Sequence, residues 1–427
     1  MRKPTGIALI GLAFMVLLSS AQLVQSQLAD SPWPKFGGRN PGNTGQGSYV
    51  GPGDNTVMQL YDISMMGSNI DFLVVGRDET IYFGGEFDNR FFAVNKDGTL
   101  KWQVDLGWTN GFPAIALDGT IYVASTLVDI IDGDITYYTK LHALTPLDGS
   151  KKWSRSLGDV RISSITLADN NKIYFGTSDN KLYSVRDKGE FAEIEWTFPV
   201  GGQINTCPAL FNNTIYFASW EDNTLWAVYE NGGLKWFYRF NDKITSSPIV
   251  SDGTVYVSSK NDLYSVFDNC SNAVVQWQFE AGGPIWSSPS VGDNVIYFGS
   301  YDRNLYAVEL DGSIKWSFLT DSWIDVQPVI DTQGAVYFGS SDTFYALNPD
   351  GTLKWKYSLN LQGVVSLPPV MGSNGIIYVG GTLENDVLFM FGKVSVITIP
   401  PDNTFFIAVA TGIIIVLIIL LAWLKRR

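Results

Sequence analysis

Side chains that commonly carry chemistry are scarce here: the chain of 427 residues has one His, His142, and two Cys, Cys207 and Cys270. That is too few for a zinc cluster, a haem-attachment motif or a disulfide-stapled scaffold. Carboxylates are more plentiful, and Asp129, Asp132 and Asp134 alternate within Leu127–Thr139 beside Gly133. Such spacing could hold Ca²⁺, but the register lacks the full twelve-residue ligand loop, so a solvated acidic insertion is expected. A third set is suited to binding: Trp108, Asn110, Arg161, Asn205, Lys243, Trp286, Trp323 and Asp325. Three indoles, two cations, one acid and two amides can cradle a ligand or peptide if the fold brings them to one place. The formal net charge of −13 argues against a nucleic-acid backbone as partner. No Gly-rich phosphate loop stands between a strand and a helix.

The elements that would position these residues repeat along the chain. A strand motif recurs at Ile81-Tyr-Phe-Gly-Gly, Ile121-Tyr-Val-Ala-Ser, Ile173-Tyr-Phe-Gly-Thr, Ile215-Tyr-Phe-Ala-Ser, Val255-Tyr-Val-Ser-Ser, Ile296-Tyr-Phe-Gly-Ser, Val336-Tyr-Phe-Gly-Ser and Ile377-Tyr-Val-Gly-Gly. The spacings are 40, 52, 42, 40, 41, 40 and 41 residues. A period near 40 with four short strands per unit predicts the blades of a β-propeller, whose closure into a ring removes exposed sheet edges. Each unit reads as an inner strand, a tight turn such as Asp252-Gly253, the repeated motif, a polar turn, a third strand and a fourth strand ending Lys-Trp or its equivalent. The tryptophans are Trp102, Trp153, Trp196, Trp236, Trp277, Trp316 and Trp355. Tyr61 takes the missing eighth place, so Gln59–Ile63 is expected as the outer strand of the last blade and Val364–Phe391 as its other three.

In this arrangement the inner strands run from a top face to a bottom face. The eight binding candidates then precede inner strands and surround the top mouth of the central channel. Cys207 and Cys270 fall near opposite faces and are not expected to bond to each other. His142 takes the place that Tyr183, Tyr264, Tyr306 and Tyr345 hold in other blades, which predicts packing and not catalysis. The turn acids Asp179, Asp222, Asp302 and Asp342 are expected to make turn hydrogen bonds. Two sequons, at Asn212 and Asn269, lie in bottom-face turns and are glycosylation candidates.

The two ends read differently. Arg2 and Lys3 precede an apolar stretch and small residues around Ser19-Ser20-Ala21, the pattern of a secretory signal, with an uncleaved anchor as the alternative. No Cys stands near its exit, which excludes a bacterial lipoprotein. Phe405–Leu424 gives 20 uncharged residues before Lys425-Arg426-Arg427. That length spans a hydrocarbon core of roughly 30 Å, with the basic end in the cytoplasm. A tail that is cut and replaced by a lipid stays open. Removing the five basic residues of both ends takes the net charge from −13 to −18. The expected layout is a signal peptide over 1–26, a lead-in over 27–56, the propeller over 57–391, a linker over 392–404, a transmembrane helix over 405–424 and a basic tail over 425–427.

The repeats, together with Trp33-Pro-Lys-Phe36, Thr44-Gly45 and Ala143-Leu-Thr-Pro-Leu-Asp-Gly149-Ser-Lys-Lys-Trp153, resemble the eight-bladed pyrroloquinoline-quinone (PQQ)-like repeat family. The resemblance covers nearly the whole region between the two ends and implies an all-β, eight-bladed propeller with four-stranded blades. Members divide into quinoprotein dehydrogenases and cofactor-free propellers, including an assembly-factor lipoprotein of bacterial outer membranes. The dehydrogenases carry an adjacent Cys-Cys pair, a Ca²⁺-ligating Glu/Asn set and an Asp base, and here the two Cys are not adjacent. The expectation is a single-pass plasma-membrane protein, propeller outside, that binds an extracellular protein or glycan without catalysis and without a cofactor. The alternative is a tethered dehydrogenase using PQQ and Ca²⁺, with Asp325 as the central carboxylate. A structural element of a cell-surface coat is a third reading.

Overall fold

A computed structural model describes residues 33–392, apart from 39–41, 55–56, 63–69, 86–88, 132–133, 169–170, 360–364, 366 and 382–386. The expected signal peptide and transmembrane helix, with Asp132, therefore lie outside the described residues. Among the described residues, no helix is long and apolar enough to cross a membrane.

The described strands form eight four-stranded antiparallel sheets. Seven take their strands in chain order: blade 1 spans 72–105, blade 2 108–158, blade 3 166–199, blade 4 209–239, blade 5 249–280, blade 6 290–319 and blade 7 329–358. Blade 8 is assembled from both ends. Val57–Asp62 pairs with Val387–Phe391, outside Ile377–Gly381 and Val370–Met371. The expected non-covalent closure is thus observed, with Tyr61 opposite Leu388. Inner strands of neighbouring blades touch, and Val370–Met371 reaches Phe72–Val75 to complete the ring.

The three inner strands of a blade are covered on both faces, and the outermost alternates. In blade 1, Phe72–Val75 and Ile81–Gly84 are wholly buried, whereas Leu100–Asp105 buries only Trp102. This is the period-2 pattern of a strand with one face in solvent. Opposite each tryptophan stands a small residue of the third strand, such as Ala93, Ala227 or Ala346. A bulge follows at once, for example between Ala346 and Leu347. The indole is thereby turned toward the next blade, and its Nε1 donates across the gap. Trp102 bonds Pro146 O at 3.1 Å, Trp277 bonds Leu310 O at 2.7 Å and Trp316 bonds Pro349 O at 3.0 Å.

The receiving turn is shaped for the ring. Gly351, at φ 83°, would put a Cβ 2.6 Å from Trp316. In blades 3 and 5 an Asp replaces the carbonyl acceptor: Trp153 donates to Asp187 at 2.8 Å and Trp236 to Asp268 at 2.9 Å.

The stretch ahead of the first blade is not a loose lead-in. It crosses the channel near the bottom ends of the inner strands and pairs with their inward edges. Val75 N–H donates to Trp33 O, Ile115 N–H to Pro34 O, Val250 N–H to Gly42 O, Val291 N–H to Thr44 O and Ile330 N–H to Gly45 O, all at 2.8–3.1 Å. Asn43 Nδ2 reaches Pro208 O of blade 4 at 3.2 Å. Edge groups that would otherwise line the channel unpaired are satisfied in this way. The segment leaves with Pro52 O accepting from Trp355 Nε1, so it supplies the docking carbonyl that a following blade supplies elsewhere.

Two expectations are corrected here. The Leu127–Thr139 insertion is not a loop: Ile121–Ile131 and Asp134–Leu144 continue as a hairpin, paired out to Ile131 and Asp134. Asp129 pairs with Thr136 and is exposed. Asp129 and Asp134 thus stand in the two paired strands of a hairpin and not in a twelve-residue ligand loop. Trp108 and Asn110 do not precede an inner strand; they lie within Trp108–Ile115, paired with Thr126 and Ala124. The lengthened second strand of blade 2 offers them partners, and they are absorbed into the sheet.

Candidate binding site

At the top of the channel, blades 3 to 6 surround a cavity of about 370 Å³, within the range of small-ligand pockets. Phe36, from the segment that closes the channel below, lies in its wall and packs edge-on against Phe112 at 5.2 Å. Of the expected residues, Asn205 and Trp286 line it. The remaining wall is largely hydroxyl-bearing, and apart from Ser219, which ends a second strand, its Ser and Thr lie ahead of inner strands. Ser247 Oγ accepts from Cys207 N–H at 2.9 Å, and Ser288 Oγ accepts from Ser247 N–H at 3.0 Å. Neighbouring blades are thus linked hydroxyl to backbone around the mouth.

Four more expected residues stand on or near the rim. Lys243 Nζ lies 4.6 Å above the Trp220 ring, a cation–π contact at the cavity edge. Trp286, Tyr301 and Trp323 form a row with centroids 6.4 and 6.0 Å apart, and each is more than 40% exposed. Asp325 is part-buried, and burial holds its carboxyl above the usual range. Burial and then the nearby Asp325 raise the Tyr301 phenol in turn. Arg161 is exposed and sits 5.7 Å over Tyr137 of the blade 2 hairpin, outside the cavity lining. Trp108 is also absent from that lining.

Sequence reasoning missed Trp220, Tyr301, Phe36 and the serines. Trp220 and Tyr301 fall in turns between second and third strands, where the period marks only a polar turn. Phe36 arrives by a long-range route that no local pattern reports. The serines were legible as the repeated Ser-Ser-Pro of blades 5 and 6 but read as strand residues.

Other candidates resolve into structural roles. His142 is 3% exposed, with Nε2 2.9 Å from Ser125 Oγ and Nδ1 2.7 Å from Ser154 Oγ. Burial, with Lys151 and Lys140 nearby, lowers its pKa to about 3 and keeps the ring neutral. Cys207 is buried, Cys270 is exposed, and both are free thiols. Asp302 accepts from Gly282 N–H, Asn304 N–H and Tyr306 Oη at 2.6–2.9 Å, a turn staple as expected. Asn212 and Asn269 are exposed in their turns.

The PQQ and Ca²⁺ alternative can be tested on the donor set. PQQ is a tricarboxylate and calls for cations, while Ca²⁺ calls for carboxylate oxygens. Among the described residues, the cavity lining contains neither a basic nor an acidic side chain, and Asp325 lies outside it. Among the described residues, no three His, Cys, Asp or Glu are grouped to hold a metal. The residues present do not fit the pair.

Comparison with solved structures agrees with the architecture. BamB from Moraxella catarrhalis aligns with TM-score 0.59 at 16% identity, covering 80% of this chain and 98% of that one. The quinohemoprotein alcohol dehydrogenase from Comamonas testosteroni aligns with TM-score 0.67 at 14% identity, covering 87% and 82%. The computationally designed Ika8 protein aligns at 0.61 and 14%, covering 76% and 96%. At these identities the likeness is one of fold. No curated protein sequence matches the chain. The family model described as outer membrane protein assembly factor BamB matches over residues 87–192, 141–241, 191–287 and 227–385. Those matches take in most of the chain and nearly all of the ring, and the protein belongs to this family of PQQ-like repeat propellers.

Proposed function

We propose that the protein is a single-pass cell-surface propeller that holds an extracellular protein or glycan partner on its top face and catalyses no reaction itself. The observation that carries this reading is a cavity, uncharged among its described lining residues, beneath an exposed aromatic row, at the mouth of a channel crossed by its own N-terminal segment. Large exposed rings beside a concave pocket are the usual make-up of an interaction hot spot. Membrane anchoring by 405–424, the outward placement of the propeller and glycans on Asn212 and Asn269 are parts of the proposal supported by the sequence.

Calorimetric titration of the purified full chain with PQQ, with and without Ca²⁺, discriminates the readings. The binding-protein reading expects no heat at micromolar concentrations. Stoichiometric binding weakened by Asp325→Ala or Trp286→Ala would replace it with the dehydrogenase, as would turnover by the purified chain.

A further inference from the structure

We propose that the top-face site is built for a neutral saccharide chain, one end seated in the cavity and the rest running outward over Trp286, Tyr301 and Trp323. This rests on the binding reading above and names its ligand class.

The argument begins with what the cavity can offer. Ser164 Oγ accepts from Phe112 N–H at 3.1 Å, and Ser246 Oγ accepts from Ser258 N–H at 2.9 Å. Ser247 and Ser288 accept backbone N–H groups in the same manner. A hydroxyl has one hydrogen to donate and two lone pairs. Ser164, Ser247 and Ser288, from blades 3, 5 and 6, are therefore held in orientation by the backbone with an O–H each to donate, while Ser246 is 2% exposed. Asn205 adds an amide that can donate and accept.

Such a wall suits a ligand dense in neutral oxygen atoms that themselves donate and accept, which describes the hydroxyl edge of a sugar. It suits a free ion less well, since among the described residues the lining itself carries no side-chain charge to offset desolvation and the Lys243 ammonium at its edge is already engaged over Trp220. Nor does it suit an extended peptide adding as a strand. That mode needs an open backbone edge, and the inner edges here are engaged by the N-terminal segment and by these same hydroxyls.

The aromatic row supplies the complementary surface. A pyranose presents faces of C–H bonds, which pack on the electron-rich face of an aromatic ring. Trp286 belongs both to the cavity wall and to the row, so the two features are continuous. Tyr301 and Trp323 extend it at centroid steps of 6.4 and 6.0 Å, with planes inclined by 40° and 33°, close to the size of one sugar ring per step. A single sugar would use the cavity alone; a row of three exposed rings points to a chain.

The test is indole fluorescence titration of the full chain, in a detergent without a sugar headgroup. The probes are cellohexaose, mannohexaose and the hexamer of N-acetylglucosamine, with hexagalacturonate as a charged control and a random peptide library as the other class. Binding of at least one neutral hexamer, tighter than that of its monosaccharide and of hexagalacturonate, is expected. Trp323→Ala should weaken it about tenfold, or 1.4 kcal/mol, with Trp323→Phe recovering part. Because Trp323 is 46% exposed, its replacement should leave thermal unfolding unchanged. Binding indifferent to both Trp286→Ala and Trp323→Ala, or tighter for hexagalacturonate, overturns the proposal. Failure of every hexamer with Trp-dependent binding of peptides also overturns it but leaves the binding-protein reading standing. Failure of both classes removes the two together.

Discussion

Lys35 shows how a single residue records the long-range structure. It is fully buried, and its Nζ donates to Phe36 O at 3.0 Å and to Asn43 Oδ1. Burial lowers its pKa from 10.5 to about 8, against a smaller opposing effect of Cys207. For a lysine with a depressed pKa the cost of burying charge is present in full below the folded value. It is relieved as pH rises toward the unfolded one. The difference corresponds to roughly 3 kcal/mol. The stability of the wild type relative to Lys35→Met should therefore increase between pH 8 and pH 10.5, read as the gap between the two urea midpoints. A constant gap across that range would mean that the amine reaches water. Nothing in Trp33-Pro-Lys-Phe36 marks the lysine as buried; the sequence shows a polar residue between rings, and only the ring around it removes the solvent.

Within each blade the governing device is the indole that docks on the next turn. The repeated Lys-Trp and the Gly five residues beyond Ala346, or six beyond Ala143, were visible in the sequence, as was their spacing. Gly351 is the clearest receiver, since it combines φ 83° with a Cβ position 2.6 Å from Trp316. Gly189 has a similar φ of 88° but nothing within 4 Å of its Cβ position. Both Gly→Ala changes incur backbone strain, and only the first also displaces an indole. Gly351→Ala should lower stability by about 2 kcal/mol and Gly189→Ala by about 1 kcal/mol, measured by chemical denaturation. Equal losses would show that the turn, and not the docked ring, sets the cost. The same element logic explains the corrected residues. Trp108 and Asn110 were placed by analogy with blades of ordinary length, whereas blade 2 has two strands of 11 residues that extend its ladder past them.

For the whole molecule, closure depends on residues far apart in sequence. The N-terminal stretch gives blade 8 its outer strand, Trp355 its acceptor and five inner strands their edge partners. Deleting 27–62 should leave blade 8 with three strands and an open channel. The expected result is a melting temperature lower by at least about 10 °C, with early proteolysis of 370–391. An unchanged calorimetric transition would show that the ring closes without its N-terminal strand.

By itself the sequence determined the repeat, the identity of nearly every strand, the docking tryptophans and the two-ended last blade. These follow from local alternation and a fixed period, which one chain displays without reference to its neighbours. Tertiary structure alone decided which candidates meet. Asn205 and Trp286 share a cavity because blades 4 and 6 are brought round a common axis, while Arg161 turns to the blade 2 hairpin. It also decided that a short N-terminal segment becomes the floor of the site. The physical reason is that ring closure sets distances between residues separated by one or more whole repeats, and periodicity reports spacing along the chain but not proximity across it.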